Sequence, residues 1–275
     1  MVATPIGNLS DISLRALHVL GLVDAIGCED TRHTQTLLRQ YGVNKPLLPV
    51  HEHNEAEAAG AVINRLQRGE RVAYVSDAGT PAISDPGARL VAAARAAARP
   101  VVPLPGASSV TAALSVAGMT TSDAATSGFV FAGFLPSKAG ERAQAVAALG
   151  QQPRAVVLLE APHRIEALAG ALAVLGQRGM TVGRELTKQF EEIAQFQAGD
   201  FGAWLAADPN RCRGEFVLVL HPAAVQADNG EDQRVLQLLL AELPLKTAVR
   251  LAAEITGAPR NALYEAALSL KKIAT

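Results

Sequence analysis

Alternation between strand-like and helix-like segments is the feature that most constrains the fold of this chain. Five short apolar runs occur early in the sequence: "MVAT", "AIGCE", "LLPVHE", "RVAYVS" and "PVVPLP". Helical patterns such as Leu14 to Leu22 and Glu55 to Arg68 lie between them. Strands that alternate with helices are typical of a parallel sheet covered by helices. Residues 1–120 are therefore predicted to form one α/β domain.

Residues 121–222 carry a second set of strand patterns, "FVFAGFL", "RAVVLLE", "MTVGREL", "EEIAQFQ" and "EFVLVLH". Helices are predicted over 139–149, 162–175 and about 200–207, and the close spacing of the last strands favours antiparallel pairing. After the polar stretch "PAAVQADNGED", three amphipathic patterns predict a helical appendage over 231–275. The predicted fold class is α/β, with two α/β domains and a small C-terminal helical appendage.

Composition limits the classes of protein to which the chain can belong. With 275 residues, 49% of them hydrophobic, the chain can bury a sizeable core. Its apolar runs are too short for a membrane helix and its start lacks a secretory signal pattern, so a cytoplasmic protein is expected. Cys28 and Cys212 are far apart and lack neighbours at metal-binding spacing, which predicts two reduced thiols. A net charge of −1 means that any RNA contact requires a local basic patch.

Several cofactor and metal signatures are missing from the sequence. It contains no G-x-G-x-x-G after a strand, no P-loop, no H-E-x-x-H and no G-x-S-x-G. In "HEHNE", His51 and His53 have Glu52 and Glu55 beside them but no third ligand at a suitable place. This segment is better interpreted as the start of a helix with Asn54 as its cap. No metal site is therefore predicted.

Three loops rich in glycine, proline and hydroxyl groups follow predicted strands: "TPIGN", "SDAGTPAISDPG" and "PLPGASSV". Ligands of open α/β sheets bind beyond the carboxyl ends of the strands. The segment from Asp77 to Ser84 is about twice as long as a four-residue turn, which favours ligand contact. Asp85, Pro86 and Gly87 are expected only to begin the next helix, with Asp85 as its N-cap.

Nine segments together resemble one known family: "VATPIGNLSDIS", "CEDTRHTQTLL", "HEHNE", "VSDAGTPAISDPG", "PLPGASS", "GFLPSK", "EAPHRI", "RELTKQFEE" and "RGEFVLVL". They are similar to the bacterial 16S ribosomal RNA methyltransferases that modify the 2′-hydroxyl of a decoding-centre cytidine. That family belongs to the tetrapyrrole-methylase superfamily. The resemblance covers essentially the whole chain. It implies a tetrapyrrole-methylase fold, S-adenosylmethionine bound in a cleft between the two α/β domains, the 30S subunit as substrate and a homodimer.

The resemblance also assigns residues to the cofactor. They lie in the three loops and at two points of the second domain: Pro5, Asp77, Gly79, Thr80, Ile83, Ser84, Ser108, Leu159 and Gly214. The cofactor combines a cationic sulfonium with a flat, apolar adenine, so its site is expected to offer oxygen atoms and aliphatic walls. The missing phosphate-binding motifs agree with this expectation.

In the implied reaction the oxygen of a ribose hydroxyl attacks the methyl carbon of a sulfonium, the thioether sulfur leaves and the hydroxyl loses its proton, so alignment and a nearby base are its main needs. The preferred catalytic candidates are Asp30 and Lys188. The alternatives, also near strand ends, are Glu29, Glu160 and Glu185. Asp30 can equally be the N-cap of the following helix, and Lys188 could act as a base only if its pKa were lowered. The choice between the candidates stays open.

Basic residues in the same motifs are candidates for contact with RNA phosphates. They are Arg32, Lys138, Arg142, Arg164 and Arg184, together with Lys188. Neither DNA nor a membrane is an expected partner.

Three other functions are compatible with parts of the sequence. A tetrapyrrole methyltransferase would share the fold, but "CEDTRHT", "RELTKQFEE" and the helical tail count against it. A non-catalytic RNA-binding or ribosome-binding module would not need the intact glycine and hydroxyl residues of all three loops. An enzyme that acts on another small metabolite is the third alternative.

Overall fold

A computed structural model describes residues 1–51, 55–119, 127–223 and 229–273. The chain divides into two compact units, Met1–Ala223 and Ala224–Thr275. The predicted cap at Asn54, with His53 beside it, lies outside the described residues, as do residues 224–228 of the predicted polar stretch.

The first sheet is three-stranded and parallel, in the order β2-β1-β3. Its strands are β1 Ala25–Cys28, β2 Leu47–Pro49 and β3 Val72–Val75, and helices α1 Leu14–Leu22, α2 Thr31–Gln40, α3 Glu55–Gln67 and α4 Ala88–Ala96 alternate with them. The predicted parallel α/β pattern is confirmed. The 3₁₀-helix Leu9–Asp11 precedes α1.

The prediction of strands at "MVAT" and "PVVPLP" is wrong. These segments form only isolated bridges, Val2 with Leu104 in parallel and Thr4 with Gly79 in antiparallel orientation. The amide of Val2 donates to Tyr74 O (2.9 Å), so the first segment lies beside β3. Prolines 100, 103 and 105 have no amide hydrogen, which prevents a continuous ladder around Leu104.

The second sheet has five strands in the order β4-β5-β8-β6-β7. They are β4 Phe129–Gly133, β5 Ala155–Glu160, β6 Gly179–Arg184, β7 Glu192–Gln197 and β8 Phe216–Leu220. The first pair is parallel and the other pairs are antiparallel, which confirms the predicted pairing of the late strands. The strands β4, β5 and β6 therefore run in the same direction and end at the same edge of the sheet.

Helices cover both faces of this second sheet. On one face lie α6 Ala139–Gly150, α7 Ile165–Leu172 and α8 Phe201–Ala206, with 3₁₀ turns at Pro162–Arg164, Ala173–Leu175, Ala198–Asp200 and Pro209–Cys212. On the other face α5 Ser109–Val116 packs its Val110 and Ala113 against Val157, Val217 and Val219. Both faces of β5 and β8 are buried, which explains why the sequences of these two strands are unbroken apolar runs.

The predicted start of α4 is wrong. The helix begins at Ala88, and its N-cap is Gly87, which makes no side-chain capping bond. Asp85 does not cap the helix because its carboxyl group interacts with Ser76, and burial raises the pKa of that carboxyl above its ordinary value.

The unit Ala224–Thr275 consists of the helices α9 Asn229–Glu242, α10 Leu245–Thr256 and α11 Arg260–Ile273. Leu236, Val249, Ala252, Leu263 and Ala267 form its core. The three predicted helices are confirmed. Across both units, the described part of the chain contains no helix that is long and apolar enough to cross a membrane.

His221 makes the stability of the first unit depend on pH. Its Nε2 atom lies within hydrogen-bond distance of Thr181 Oγ1 (2.8 Å) and Gln195 Nε2 (3.3 Å). Burial, with a smaller contribution from the charge of Arg178, lowers the pKa of His221 below its ordinary value. The folded protein therefore binds this proton less tightly than the unfolded chain does. The contribution of His221 is complete above the ordinary histidine pKa and is lost as the pH falls below it.

We therefore expect the free energy of unfolding to decrease between pH 7 and pH 5, as measured by urea denaturation at several pH values. His221→Gln should flatten this decrease and cost about 1 kcal/mol at pH 7 through the weakened hydrogen bonds. The control is His18→Gln, because His18 is exposed on α1. An identical pH dependence in the His221 variant and the wild type would contradict the prediction.

Candidate functional site

The three loops rich in glycine, proline and hydroxyl groups meet at one edge of the first sheet. Thr4 and Gly79 exchange two backbone hydrogen bonds (2.9 and 3.1 Å), and Thr4 Oγ1 donates to Ser76 O (3.3 Å). Thr80 Oγ1 donates to Ala107 O (3.0 Å), which attaches the third loop. These bonds hold the segments around Thr4, Gly79 and Ala107 side by side at the carboxyl ends of the strands.

Asp30 connects a fourth loop to this edge. It is the N-cap of α2, and its Oδ1 accepts from the amides of Arg32 (2.7 Å) and His33 (3.3 Å). Hydrogen bonds from the amides of Arg32 and His33 lower the pKa of the Asp30 carboxyl. The amide of Asp30 in turn donates to Asp77 Oδ1 (3.2 Å). The capping interpretation is confirmed, and a catalytic role for Asp30 stays a prediction. Glu29 lies half-buried directly after β1.

The loop around Gly79 offers a surface that suits a cationic, partly apolar ligand. Gly79 has φ +78°, and a Cβ added there would lie 3.3 Å from Ile6 Cγ2 and 3.7 Å from Ala107 O. Further along the loop, the side chains of Ile83 and Ser84 are exposed. An exposed aliphatic side chain and hydroxyl groups thus lie on one loop, and a ligand with a sulfonium and an adenine needs such groups.

The other residues assigned to the cofactor lie around this loop or on the second sheet. Pro5 is buried directly after Thr4, and Ser108 is the N-cap of α5, although its hydroxyl makes no capping bond. Leu159 of β5 packs on the same face of the second sheet as Ile6. Helix α5, Ile6 and Leu159 therefore pack on one face of the second sheet, whereas Gly214 belongs to the cluster described next.

The segment after β6 forms a cluster of charged groups. Lys188 Nζ donates to Glu185 Oε1 (2.8 Å) and to Glu215 Oε2 (3.1 Å), and the amide of Glu215 also donates to Glu185 Oε1 (2.9 Å). Burial lowers the pKa of Lys188, but its hydrogen bonds to Glu185 and Glu215 outweigh burial and raise that pKa. Burial raises the pKa of Glu185, but the hydrogen bonds from Lys188 and from the amide of Glu215 outweigh burial, so this pKa is lowered. Both groups are therefore charged at neutral pH.

The backbone of this segment is strained and tightly enclosed. Glu185 and Thr187 have φ values of +50° and +67°, which are uncommon for residues other than glycine and are often found at functional sites. A Cβ at Gly7 would clash with Lys188 Cγ and lie 2.8 Å from Thr187 Oγ1, and one at Gly214 would clash with Glu185. The amide of Asn8 donates to Thr187 Oγ1 (3.1 Å). The loop "TPIGN" therefore contacts both the first-sheet loops and the charged cluster.

The basic residues predicted to contact RNA differ in their exposure and in their partners. Arg32 and Lys138 are exposed and make ion pairs with Asp30 (3.5 Å) and Glu141 (3.1 Å), which are weak at the surface. Arg184 is almost fully buried and donates to three carbonyls, those of Arg213 (2.7 Å), Asn210 (2.8 Å) and Phe190 (3.3 Å). The guanidinium of Arg184 is thus used inside the protein, and we do not retain it as an RNA contact.

Arg142 and Arg164 both hold the loop 134–138 that follows β4. Arg142 NH1 donates to Ser137 O (2.9 Å), and Arg164 NH2 donates to Leu135 O. Arg164 Nε lies 3.1 Å from Glu160 Oε1, and the Glu160 side chain is fully buried. Oε2 of Glu160 has no hydrogen-bond partner within the described ranges, so Arg164 is the main charge compensation for this carboxylate. Glu160 is therefore a structural partner of Arg164.

Arg164→Met is expected to lower the free energy of unfolding by about 3–5 kcal/mol, because it leaves a buried carboxylate without its cation. The double variant Arg164→Met with Glu160→Gln should recover much of this loss. Urea denaturation of both variants and of Lys138→Met, as an exposed control, tests this expectation. A loss below about 0.5 kcal/mol for Arg164→Met would identify Arg164 as an ordinary surface residue.

The sequence pattern does not single out Glu215, although this residue lies in the motif "RGEFVLVL". Glu215 precedes β8 and reaches Lys188 only because β8 is the neighbour of β6 in the sheet. Both cysteines are free thiols, as predicted. In the residues that the structure describes, no group of three or more His, Cys, Asp and Glu side chains could hold a metal ion.

Comparison with known proteins identifies the class that this fold and site define. The family model for Tetrapyrrole (Corrin/Porphyrin) Methylases matches residues 1–202. The chain belongs to this family, which confirms the predicted fold. A second family model, described as the RsmI C-terminal HTH domain, matches residues 226–271.

Within that class the chain is similar to particular curated proteins. Ribosomal RNA small subunit methyltransferase I of Pseudomonas aeruginosa is 49% identical over 98% of this chain and 95% of its own length. The protein of the same name from Neisseria meningitidis is 48% identical, again over 98% of this chain and 93% of its own length. The relative from Escherichia coli O157:H7 is 46% identical over 98% of this chain and 93% of its own length.

Solved structures support the fold at lower identity. The cobalt precorrin-4 methyltransferase CbiF has a TM-score of 0.59 at 18% identity, with 80% of this chain and 92% of that chain covered. Uroporphyrin-III C-methyl transferase from Thermus thermophilus, complexed with S-adenyl homocysteine, has a TM-score of 0.52 at 16% identity over 80% and 95% of the two chains.

Proposed function

We propose that this protein transfers a methyl group from S-adenosylmethionine to the 2′-hydroxyl of a cytidine in 16S ribosomal RNA. The observation that carries the proposal is the contact between "TPIGN" and the cluster of Lys188, Glu185 and Glu215, next to a loop that suits the methyl donor. The high identity to relatives named ribosomal RNA small subunit methyltransferase I supports RNA, and not a tetrapyrrole, as the substrate.

The loops of the first sheet would hold the methyl donor. Gly79 and Thr80 would present backbone to it, Ile83 would contact the adenine, and Asp77 would face its positive charge. Pro5, Ser84, Ser108, Leu159 and Gly214 complete the proposed set of contacts. When bound, S-adenosylmethionine supplies an activated methyl group attached to a cationic sulfur.

The charged cluster would orient the ribose. Lys188 stays protonated at neutral pH because its pKa is raised, so it would act as a hydrogen-bond donor to the hydroxyl oxygen and not as a base. The carboxylates that Lys188 bridges would accept the proton, and Glu185 is the preferred acceptor because Lys188 and the amide of Glu215 fix its position. The Glu185 pKa is lowered, so alignment of the hydroxyl would contribute more to the rate than base strength.

The three-helix unit Ala224–Thr275 would contribute to recognition of the ribosome. Among the side chains that the structure describes there, Arg234, Lys246, Arg250 and Arg260 are basic and exposed, and Arg250 forms an ion pair with Glu254 (3.1 Å). We also propose that the substrate is the assembled 30S subunit, that the protein acts as a homodimer and that it works in the cytoplasm. Sedimentation analysis of the purified protein tests the proposed dimer.

The proposed function is tested by incubating the protein with methyl-labelled S-adenosylmethionine and unmethylated 30S subunits. We expect label in 16S RNA at one cytidine, where the modified 2′-oxygen makes the neighbouring phosphodiester resistant to alkali. Label in a tetrapyrrole and none in RNA would favour the small-molecule alternative. Tight binding to 30S subunits without any transfer would favour a non-catalytic module, and neither activity would favour an enzyme of another metabolite.

A further inference from the structure

Exposed phenylalanines mark the edge of the second sheet that carries the charged cluster. Among the described residues of the unit Met1–Ala223, three phenylalanines are exposed: Phe129 (48%), Phe134 (53%) and Phe190 (67%). Phe134 directly follows β4, and Phe190 lies in the connection after β6. Because β4 and β6 end at the same edge, both aromatic rings belong to the edge that holds Lys188. Phe129 begins β4 and lies at the opposite edge.

Both rings are carried by backbone that an arginine side chain holds in place, half-buried Arg164 for Phe134 and buried Arg184 for Phe190. Arg164 donates to the carbonyl of Leu135, the residue after Phe134. Arg184 donates to the carbonyl of Phe190 itself (3.3 Å). A fixed loop loses little conformational entropy when a ligand binds, so a ring on such a loop contributes more to the binding free energy than a ring on a mobile loop.

Basic side chains accompany each ring. Lys138, exposed, lies four residues after Phe134, and Lys188 lies two residues before Phe190. Aromatic rings next to positive charge are the combination with which proteins bind unpaired nucleotides, through stacking on the base and attraction of the phosphate. A tetrapyrrole or another small metabolite would not need two separate rings of this kind.

We infer that Phe134 and Phe190 stack on two unpaired nucleobases of the RNA substrate. This inference rests on the proposed function and names how the substrate is held. The strands β4 and β6 are three spacings apart in the sheet, which is roughly 14 Å. One base cannot span that distance, so the two rings contact different nucleotides. Phe190 is two residues from Lys188 in the chain, so in this proposal it contacts the reacting nucleotide or its immediate neighbour, whereas Phe134 contacts a nucleotide further along the strand.

The test measures the affinity of unmethylated 30S subunits for Phe134→Ala, Phe190→Ala and the double variant. Each single variant should bind about 5- to 150-fold more weakly than the wild type, as for other aromatic residues that stack on bases. The losses should multiply in the double variant because the rings are far apart. Phe134→Tyr and Phe190→Tyr should retain most of the affinity. Phe129→Ala is the matched control, and we expect it to bind like the wild type.

Two further measurements separate stacking from other roles. The salt dependence of binding should keep its slope in the alanine variants, since no counterion is released by a phenylalanine, whereas Lys138→Ala should reduce the slope. Affinity for S-adenosylmethionine, measured by calorimetry, should not change. Wild-type affinity in both alanine variants, or a change in oligomeric state with unchanged RNA affinity, would overturn the inference. Absence of methyl transfer by the wild type would instead refute the proposed function.

Discussion

Lys188→Met is expected to reduce methyl transfer to 30S subunits by about 10²- to 10⁴-fold, with little change in the affinity for S-adenosylmethionine. This range is the usual contribution of a side chain that orients or exchanges a proton in the transition state. Lys188 bridges Glu185 (2.8 Å) and Glu215 (3.1 Å), so its loss removes a donor and leaves two carboxylates near each other without their cation. Single-turnover rates at saturating cofactor provide the measurement.

Further variants distinguish a direct role of Lys188 from repulsion between the carboxylates. Glu185→Gln preserves the shape of the side chain and should lower the rate by a similar factor if Glu185 accepts the proton. If repulsion alone caused the defect of Lys188→Met, adding Glu185→Gln to it would restore the rate. Lys138→Met, which removes an exposed lysine, should instead weaken RNA binding without lowering the rate at saturation.

The pH dependence provides an independent check. The pKa of Lys188 is raised and that of Glu185 is lowered, so the pair stays fully charged across neutral pH. We therefore expect the rate of the chemical step to be nearly constant between pH 6 and pH 8. A rate that rises with a slope of one through this range would indicate a neutral lysine as the base, and our assignment of the proton acceptor would then be wrong.

The sequence predicted the layered part of the fold well because hydrophobic periodicity decides it. The unbroken apolar runs of β5 and β8 are buried on both faces, and the pairing of β6 with β7 followed from their close spacing. It failed at "MVAT" and "PVVPLP", where apolar composition suggested strands. There the prolines remove the amide hydrogens that a ladder requires, and only single bridges form.

The candidate site was predicted only in part, for a physical reason. Loops at the carboxyl ends of parallel strands must converge, so the meeting of Thr4, Gly79 and Ala107 could be anticipated. The roles of the arginines could not, because their partners are backbone carbonyls remote in sequence. Arg164 binds Leu135 and Arg184 binds Arg213, each 29 residues away. Every residue has a backbone carbonyl, so the amino-acid sequence does not indicate which carbonyl an arginine side chain will bind.

Gly79→Val is expected to weaken the binding of S-adenosylmethionine by at least about 100-fold. Gly79 is buried with φ +78°, and a branched side chain there would press on Ile6 and on the carbonyl of Ala107, which would displace the loop that is proposed to hold the ligand. A valine at a positive φ also lowers the free energy of unfolding by about 1–3 kcal/mol through backbone strain. The control must therefore place a valine at another glycine with a positive φ, away from the proposed ligand site. Gly69→Val provides it, because Gly69 has φ +84° and has nothing within 4 Å of an added Cβ.

Calorimetric titration with S-adenosylmethionine, together with thermal unfolding of each variant, separates the two effects. Both valine variants should unfold at a lower temperature than the wild type, but only Gly79→Val should lose the ligand. Ser84→Trp adds bulk at an exposed position without a positive φ, and it should also lose binding while its unfolding temperature stays near that of the wild type. If Gly79→Val and Ser84→Trp both bind the ligand as the wild type does, the loop from Asp77 to Ser84 is purely structural, and the methyl donor must lie elsewhere in the protein.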